Sequence, residues 1–317
     1  MRKLALVLLL AVSGPVRADD TSPAAKDVRA TLEKSLAFVD KASTAWVKER
    51  KCVSCHHVTF QLWGQRLAAQ QGFASERKAL DERQAWTVDF VLNSRDKQGQ
   101  PNGHGVDTVV QLLLGRAADY GDEKTKAKTD RLVDLLIKLQ NQDGSWSAGG
   151  QLPDQQRPKP ETQAVTTMWA VLALGSLEPT DEHRASLARA VRWLRSSSGS
   201  TTEWLALRIL YEQRFGSKEE AAVLLEQLKD QQNPDGGWGW HKGRPSDALA
   251  TGITLFVLAR WQQADNAKAR ARSFLVNTQQ ADGSWQVPTT KQKTKDLSIV
   301  RFWGTAWATI GLLATMS

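Results

Sequence analysis

Apolar residues in this 317-residue chain recur at helical spacing rather than strand alternation. Leu132-Val133-Leu135-Leu136-Leu139 is followed, across a long connection, by Ala164-Val165-Met168-Trp169-Leu172-Leu174. Ala190-Val191-Trp193-Leu194 and Leu205-Ala206-Leu207-Ile209-Leu210 form a second such pair. The later helix of each pair is the more apolar on every side, as in Ile253 to Ala259, and a helix apolar all round is buried. The earlier one carries more charge, as at Arg189, Arg192 and Arg195, and should face outward.

Between the two helices of a pair lies a repeated turn. Gln140-Asn141-Gln142-Asp143-Gly144-Ser145-Trp146, Gln232-Asn233-Pro234-Asp235-Gly236-Gly237-Trp238 and Gln279-Gln280-Ala281-Asp282-Gly283-Ser284-Trp285 share one pattern. Their aspartates lie 92 and 47 positions apart, as expected for a repeat of ~46 residues. A degenerate Ser/Gly turn at 196–200 fills the longer interval. Residues 95–103 and 52–57 occupy the equivalent places upstream, so six helix pairs are expected. Glycine accepts the left-handed backbone that ends a helix, and aspartate bonds its own turn. Tryptophan covers the gap between units and finds a partner for its N–H. The prediction is an all-α fold, an (α/α)6 toroid with the apolar helices lining its centre.

Q-x-x-D-G-S-W resembles the repeat of squalene–hopene and oxidosqualene cyclases, whose toroid is shared with protein prenyltransferase β subunits. The resemblance covers most of residues 35–316, including Phe302-Trp303-Gly304-Thr305-Ala306-Trp307-Ala308 as a last inner helix. It implies the fold. It does not carry over catalytic residues, because the D-x-D-D run that protonates an alkene in cyclases does not occur here. The Asp, Cys and His of a prenyltransferase zinc site are also not matched, since both cysteines fall in one local run. Asp107, Glu161, Glu203 and Asp247 each open an inner helix and are candidate cavity carboxylates, although capping of exposed N–H groups is the role favoured at a helix start.

Composition adds an address. Residues 1–18 read as a cleavable signal peptide: Arg2 and Lys3, an apolar run from Leu4 to Val12, and a cleavage site after Ala18. A periplasmic or secreted chain is expected, with an extension over 19–34, the toroid over 35–317, and no transmembrane segment in the mature chain. Removing Arg2, Lys3 and Arg17 lowers the net charge from +8 to +5. That charge is dispersed, and nucleic acid is not an expected partner.

Candidate chemistry gathers in the first turn. Cys52-Val53-Ser54-Cys55-His56-His57 holds both cysteines and contains C-x-x-C-H, the attachment signature of a c-type haem. Cys52 and Cys55 would form the thioethers, His56 would be the proximal iron ligand, and His104 is the candidate distal ligand. The methionines Met168 and Met316 suit core positions better. Two alternatives stay open: a Cys2His2 zinc site from Cys52, Cys55, His56 or His57, and His104, or a Cys52–Cys55 disulfide. The expected function is an exported toroid carrying one haem c at its rim, transferring electrons to a redox partner protein or acting on an apolar small molecule. The alternative is a terpenoid cyclase or hydrophobic-ligand binder in which that cluster is structural. His57, His104 and His241 should share the cysteines' rim, whereas His183 should be a solvated loop residue at the other end. The connections 148–162 and 287–301 are expected to fold over the mouth.

Overall fold

The computed structural model describes residues 23–53, 57–74, 76–116, 123–148, 159–261, 264–288 and 298–316. Twelve helices follow one another in these residues: α1 (Pro23–Arg50), α2 (Thr59–Gln70), α3 (Arg77–Asn93), α4 (Val106–Arg116), α5 (Glu123–Lys138) and α6 (Lys159–Gly175). The second half repeats the alternation with α7 (Asp181–Leu194), α8 (Thr202–Phe215), α9 (Lys218–Lys229), α10 (Ala248–Leu258), α11 (Asp265–Thr278) and α12 (Ser298–Ala314). No strand occurs among the described residues, only isolated bridges.

Even-numbered helices form the inner ring. Each packs on the next, and α12 returns to α2, which closes the circle. Their burial follows from composition: all eleven residues of α10 are buried, whereas α7 buries only His183, Ser186, Ala190 and Leu194. α10 and α12 come unusually close because a Cβ on Gly252 would meet the Trp307 carbonyl at 2.5 Å. The (α/α)6 toroid is therefore the architecture, with α1, α3, α5, α7, α9 and α11 outside.

The three matching turns share one set of bonds. Asp143 accepts the Ser145 N–H at 2.9 Å, Asp235 that of Gly237 at 3.0 Å, and Asp282 that of Ser284 at 3.1 Å. The glutamine amide binds its own turn and then the next outer helix: Gln140 donates to Gly144 and Ser186, Gln232 to Gly236 and Ala267, and Gln279 to Gly283 and Thr31. Gln279 thus ties the sixth pair to the first. Each tryptophan is buried and donates its indole N–H ten residues back, to Leu136, Leu228 or Leu275. The tryptophan pins the turn to its own unit; the glutamine is what bridges to the neighbour.

The Ser/Gly turn of the fourth pair lacks these residues and is held from outside. Arg208 donates to the Leu194 carbonyl at 2.8 Å and pairs with Glu212 at 2.7 Å. Glu161, from the preceding inner helix, accepts the N–H groups of Ser200 at 2.9 Å and Thr201 at 3.1 Å.

Several expectations change. α1 begins at Pro23, so most of the segment expected as an extension, 19–34, is the first outer helix, with Leu32 fully buried. Residues 159–162 and 298–301 are helical rather than part of the mouth connections. Most of the remainder of those connections, 149–158 and 289–297, lies outside the described residues, as do residues 1–18. His183 is not a solvated loop residue. It sits in the first turn of α7 at 1 % exposure, and burial lowers its pKa.

Candidate functional site

The inner helices enter the ring with their N-termini on the rim that carries the repeated turns, and their aromatic residues converge below it. Trp307 of α12 is the hub. Its ring centroid lies 5.4 Å from Phe60 and 5.6 Å from Trp63 of α2, 5.5 Å from Trp169 of α6 and 5.8 Å from Phe256 of α10. Trp63 in turn meets Phe256 at 5.6 Å and Trp169 at 6.3 Å, both edge to face. Five rings from four inner helices therefore occupy the interior, and all but Trp169 are buried. Aromatic faces carry negative potential, so a ring face that meets a ligand stabilises positive charge, and Trp169 is the partly exposed ring of this cluster.

Carboxylates lie at the rim ends of four inner helices. Glu203, at the start of α8 and 3 % exposed, accepts from the Trp169 indole at 3.5 Å. Asp247 caps α10 through the Ala250 N–H at 2.8 Å, and burial pushes its pKa up to about 6. Glu161 caps the neighbouring helix rather than its own. Asp107 lies in the first turn of α4.

The sign of the Asp247 effect is testable. Its carboxyl is harder to ionise folded (about 6) than at its ordinary value of 3.8, so the folded state binds the extra proton. This contribution raises stability as pH falls from about 6 to about 4 and lowers it as pH rises through that window. Asp247→Asn keeps an acceptor for Ala250 and loses the buried charge. Urea titrations should show the variant ~1–3 kcal/mol more stable at pH 7 and flatter between pH 4 and 6.

At the rim the cysteine and histidine expectations divide. Cys52 Sγ lies 3.2 Å from His104 Nε2, joining the first turn to the second. The Cys52 hydrogen bond raises the His104 pKa, against the opposing effect of burial. His104 is presented by three successive left-handed residues, Gly103 (φ 59°), His104 (φ 55°) and Gly105 (φ 96°). Asn102 accepts the His104 N–H at 3.1 Å, and Phe90 packs edge-on to the imidazole at 5.5 Å. His57 has a packing role, stacked between Trp46 at 4.3 Å and Phe302 at 4.1 Å where α1 meets α12. His241 bridges backbone to backbone with Thr201. Cys55 and His56, the second thioether and the proximal ligand of the haem expectation, lie outside the described residues. Among the described residues, no group of three or more His, Cys, Asp or Glu is gathered for a metal.

The sequence favours core packing for the aromatics over an apolar-substrate surface and does not pick out this cluster. Its signal was present: Trp63, Trp169 and Trp307 fall on inner helices and outside the repeated turns, which use only Trp146, Trp238 and Trp285.

The prenyltransferase alpha-alpha toroid domain model matches residues 79–205 and again 201–317. The chain belongs to that family. Among curated relatives, a drimenyl diphosphate synthase of Streptantibioticus cattleyicolor is 41% identical over 198 residues, covering 55% of this chain and 34% of that protein. Another, from Streptomyces showdoensis, is 27% identical over 217 residues, covering 66% of this chain and 32% of that protein. The chain thus spans about a third of the length of these relatives. The toroid also matches the type II terpene cyclase MstE from Scytonema, with a TM-score of 0.56 at 14% identity, over 92% of this chain and 100% of that one. An unsaturated glucuronyl hydrolase from Streptococcus agalactiae matches at a TM-score of 0.56 and 12% identity, over 92% of each chain. The structural likenesses show the toroid alone, since one fold here carries two unrelated chemistries. No helix among the described residues is long and apolar enough to cross a membrane.

Proposed function

We propose that this toroid takes an apolar, isoprenoid-class substrate against its inner aromatic cluster and performs cyclase-type chemistry on it. The observation that carries this is the convergence of Phe60, Trp63, Trp169, Phe256 and Trp307 from four inner helices. Terpene cyclase relatives support the substrate class. An alkene that accepts a proton leaves positive charge on carbon, and ring faces stabilise such charge where water is excluded. The π electrons of a second alkene attack that carbon and close a ring. Loss of a proton to water from the carbon beside the new cation restores an alkene, and a proton from water returns to the carboxylate.

With no D-x-D-D run, the acid must be another carboxyl, and we assign it to Asp247. Its raised pKa keeps a protonated fraction that an exposed aspartate lacks near neutrality. Phe256 lies nine residues further along α10, about 13 Å of helix rise, a separation suited to an extended chain. The haem-dependent redox role expected from the sequence has no support from the relatives, and export rests on residues 1–18 alone.

Incubation with farnesyl diphosphate, geranylgeranyl diphosphate and squalene, followed by mass-spectrometric product analysis, tests the proposal. The expected result is a cyclised product whose rate falls as pH rises through about 6, reduced at least tenfold in Asp247→Asn. That variant should be the more stable protein, so its loss of turnover cannot reflect unfolding. Absence of product from all three, or turnover unchanged in Asp247→Asn, would overturn it.

A further inference from the structure

We infer that positive charge formed on the substrate settles against Trp169 rather than Phe256, because Arg260 occupies the Phe256 ring and Glu203 bonds the Trp169 indole. Arg260 is then a specificity-determining residue for the proposed chemistry. The inference rests on the apolar-substrate reading of the interior and deepens it.

The two rings differ in what faces them. Arg260 lies just past α10, one helical turn beyond Phe256, and its guanidinium stands over the Phe256 ring at 4.2 Å from the centroid. A hydrogen bond from the guanidinium to the Phe256 carbonyl holds it there. Burial lowers the Arg260 pKa to about 10, which leaves the group charged at neutral pH. The negative potential of Phe256 is therefore already engaged by a resident cation. A second cation on the opposite face would stand ~8 Å from the guanidinium, and at an effective dielectric of ~20 that repulsion disfavours it ~30-fold.

Trp169 presents the opposite sign. Its indole N–H donates to Glu203 at 3.5 Å, and Glu203 lies in the first turn of α8, where helix polarity favours a carboxylate. Negative charge at the ring edge adds to the attraction that an indole face already has for cations. Trp169 is also the one ring of the five that is partly exposed, so a ligand can meet it. Its stack on Trp307, with centroids 5.5 Å apart and planes 29° from parallel, fixes its orientation. Charge is thus drawn to the α6 side of the interior and kept from the α10 side. That polarity selects which carbon of a cyclising chain carries the cation.

The test uses the full chain and two ligands, a farnesyl chain ending in trimethylammonium and its neutral carbon isostere ending in tert-butyl. Equilibrium dialysis gives the ratio of their affinities, in which changes of pocket shape cancel. The parent should favour the ammonium ligand. Trp169→Leu should lower the ratio at least fivefold and Glu203→Gln at least threefold. Arg260→Met, which keeps an unbranched stem against Phe256, should raise it at least tenfold. Phe256→Leu should weaken both ligands alike in the parent, yet lower the ratio in the Arg260→Met background. Circular dichroism checks the fold; Arg260→Met and Glu203→Gln are close in size to the parent side chains and carry the test if the aromatic truncations unfold. A ratio unchanged by Arg260→Met, or lowered as much by Phe256→Leu as by Trp169→Leu, would overturn the inference. Binding of the neutral ligand without these shifts would overturn the inference alone, whereas binding of neither ligand would overturn it together with the proposed function.

Discussion

Trp307→Ala should remove ~3–5 kcal/mol of stability, the range for deleting a large aromatic side chain from a packed interior. Trp307 is 3 % exposed and, like Trp63, is in contact with all four other members of the cluster. Truncation removes its own burial and leaves Phe60, Trp63, Trp169 and Phe256 around a void. Domains are commonly stable by only about 5–15 kcal/mol, so the loss is a large share of the total. Urea denaturation followed by circular dichroism reads it directly. Trp307→Phe keeps an aromatic face at the hub and should lose less than half as much. A loss below ~1 kcal/mol for Trp307→Ala would mean that the ring interior is not packed around this residue.

Gly283→Ala should be the most damaging single-methyl change in the repeated turns. Gly283 has φ 87°, and a Cβ there would lie 2.3 Å from the Lys34 carbonyl oxygen of α1. Two penalties add: left-handed alanine, ~1–2 kcal/mol, and forced displacement of a neighbouring backbone, ~1–3 kcal/mol. The displaced element is the helix that closes the circle, so the Gln279 bond to Thr31 is lost with it. Gly243→Ala is the control. Its φ is 77°, yet nothing lies within 4 Å of the added methyl, so only the backbone penalty applies. The denaturation midpoint of Gly283→Ala should fall well below that of Gly243→Ala, and α1 should become the first segment cut in limited proteolysis. Equal midpoints would mean that the close approach to α1 contributes nothing to ring closure.

The repeated turn was readable because each of its residue types does one local job. Asp143 bonds two residues on, Gly144 takes φ 94°, and Trp146 reaches ten residues back, so the pattern recurs wherever the geometry does. The fourth turn was recognisable only by its position in the repeat. Its support comes from Glu161, 39 and 40 residues away, and from Arg208 on the following helix. No local pattern encodes bonds of that span.

Topology alone predicted that Cys52 and His104 share a rim, since all turns from outer to inner helices lie at one end. Their contact depends on the left-handed run at 103–105, which needs the packing of Gly103 against Val109 and Leu135. His183 was misread for a related reason. Asp181 and Glu182 beside it suggest solvent, but the rotation of α7 turns the third residue of its first turn inward. The aromatic cluster was hidden by register as well. Helical spacing shows that Trp63, Trp169, Phe256 and Trp307 lie on inner helices, and only the relative heights of four helices bring them to one place.

The proposed function puts an isoprenoid-class ligand against the aromatic interior. Photocrosslinking the full chain with a benzophenone-bearing geranylgeranyl analogue, followed by peptide mapping, tests it most directly. Labels confined to α2, α6, α10 and α12, and competed away by unlabelled geranylgeranyl diphosphate, are the predicted result. Labels spread over the outer helices, or insensitive to competitor, would contradict it.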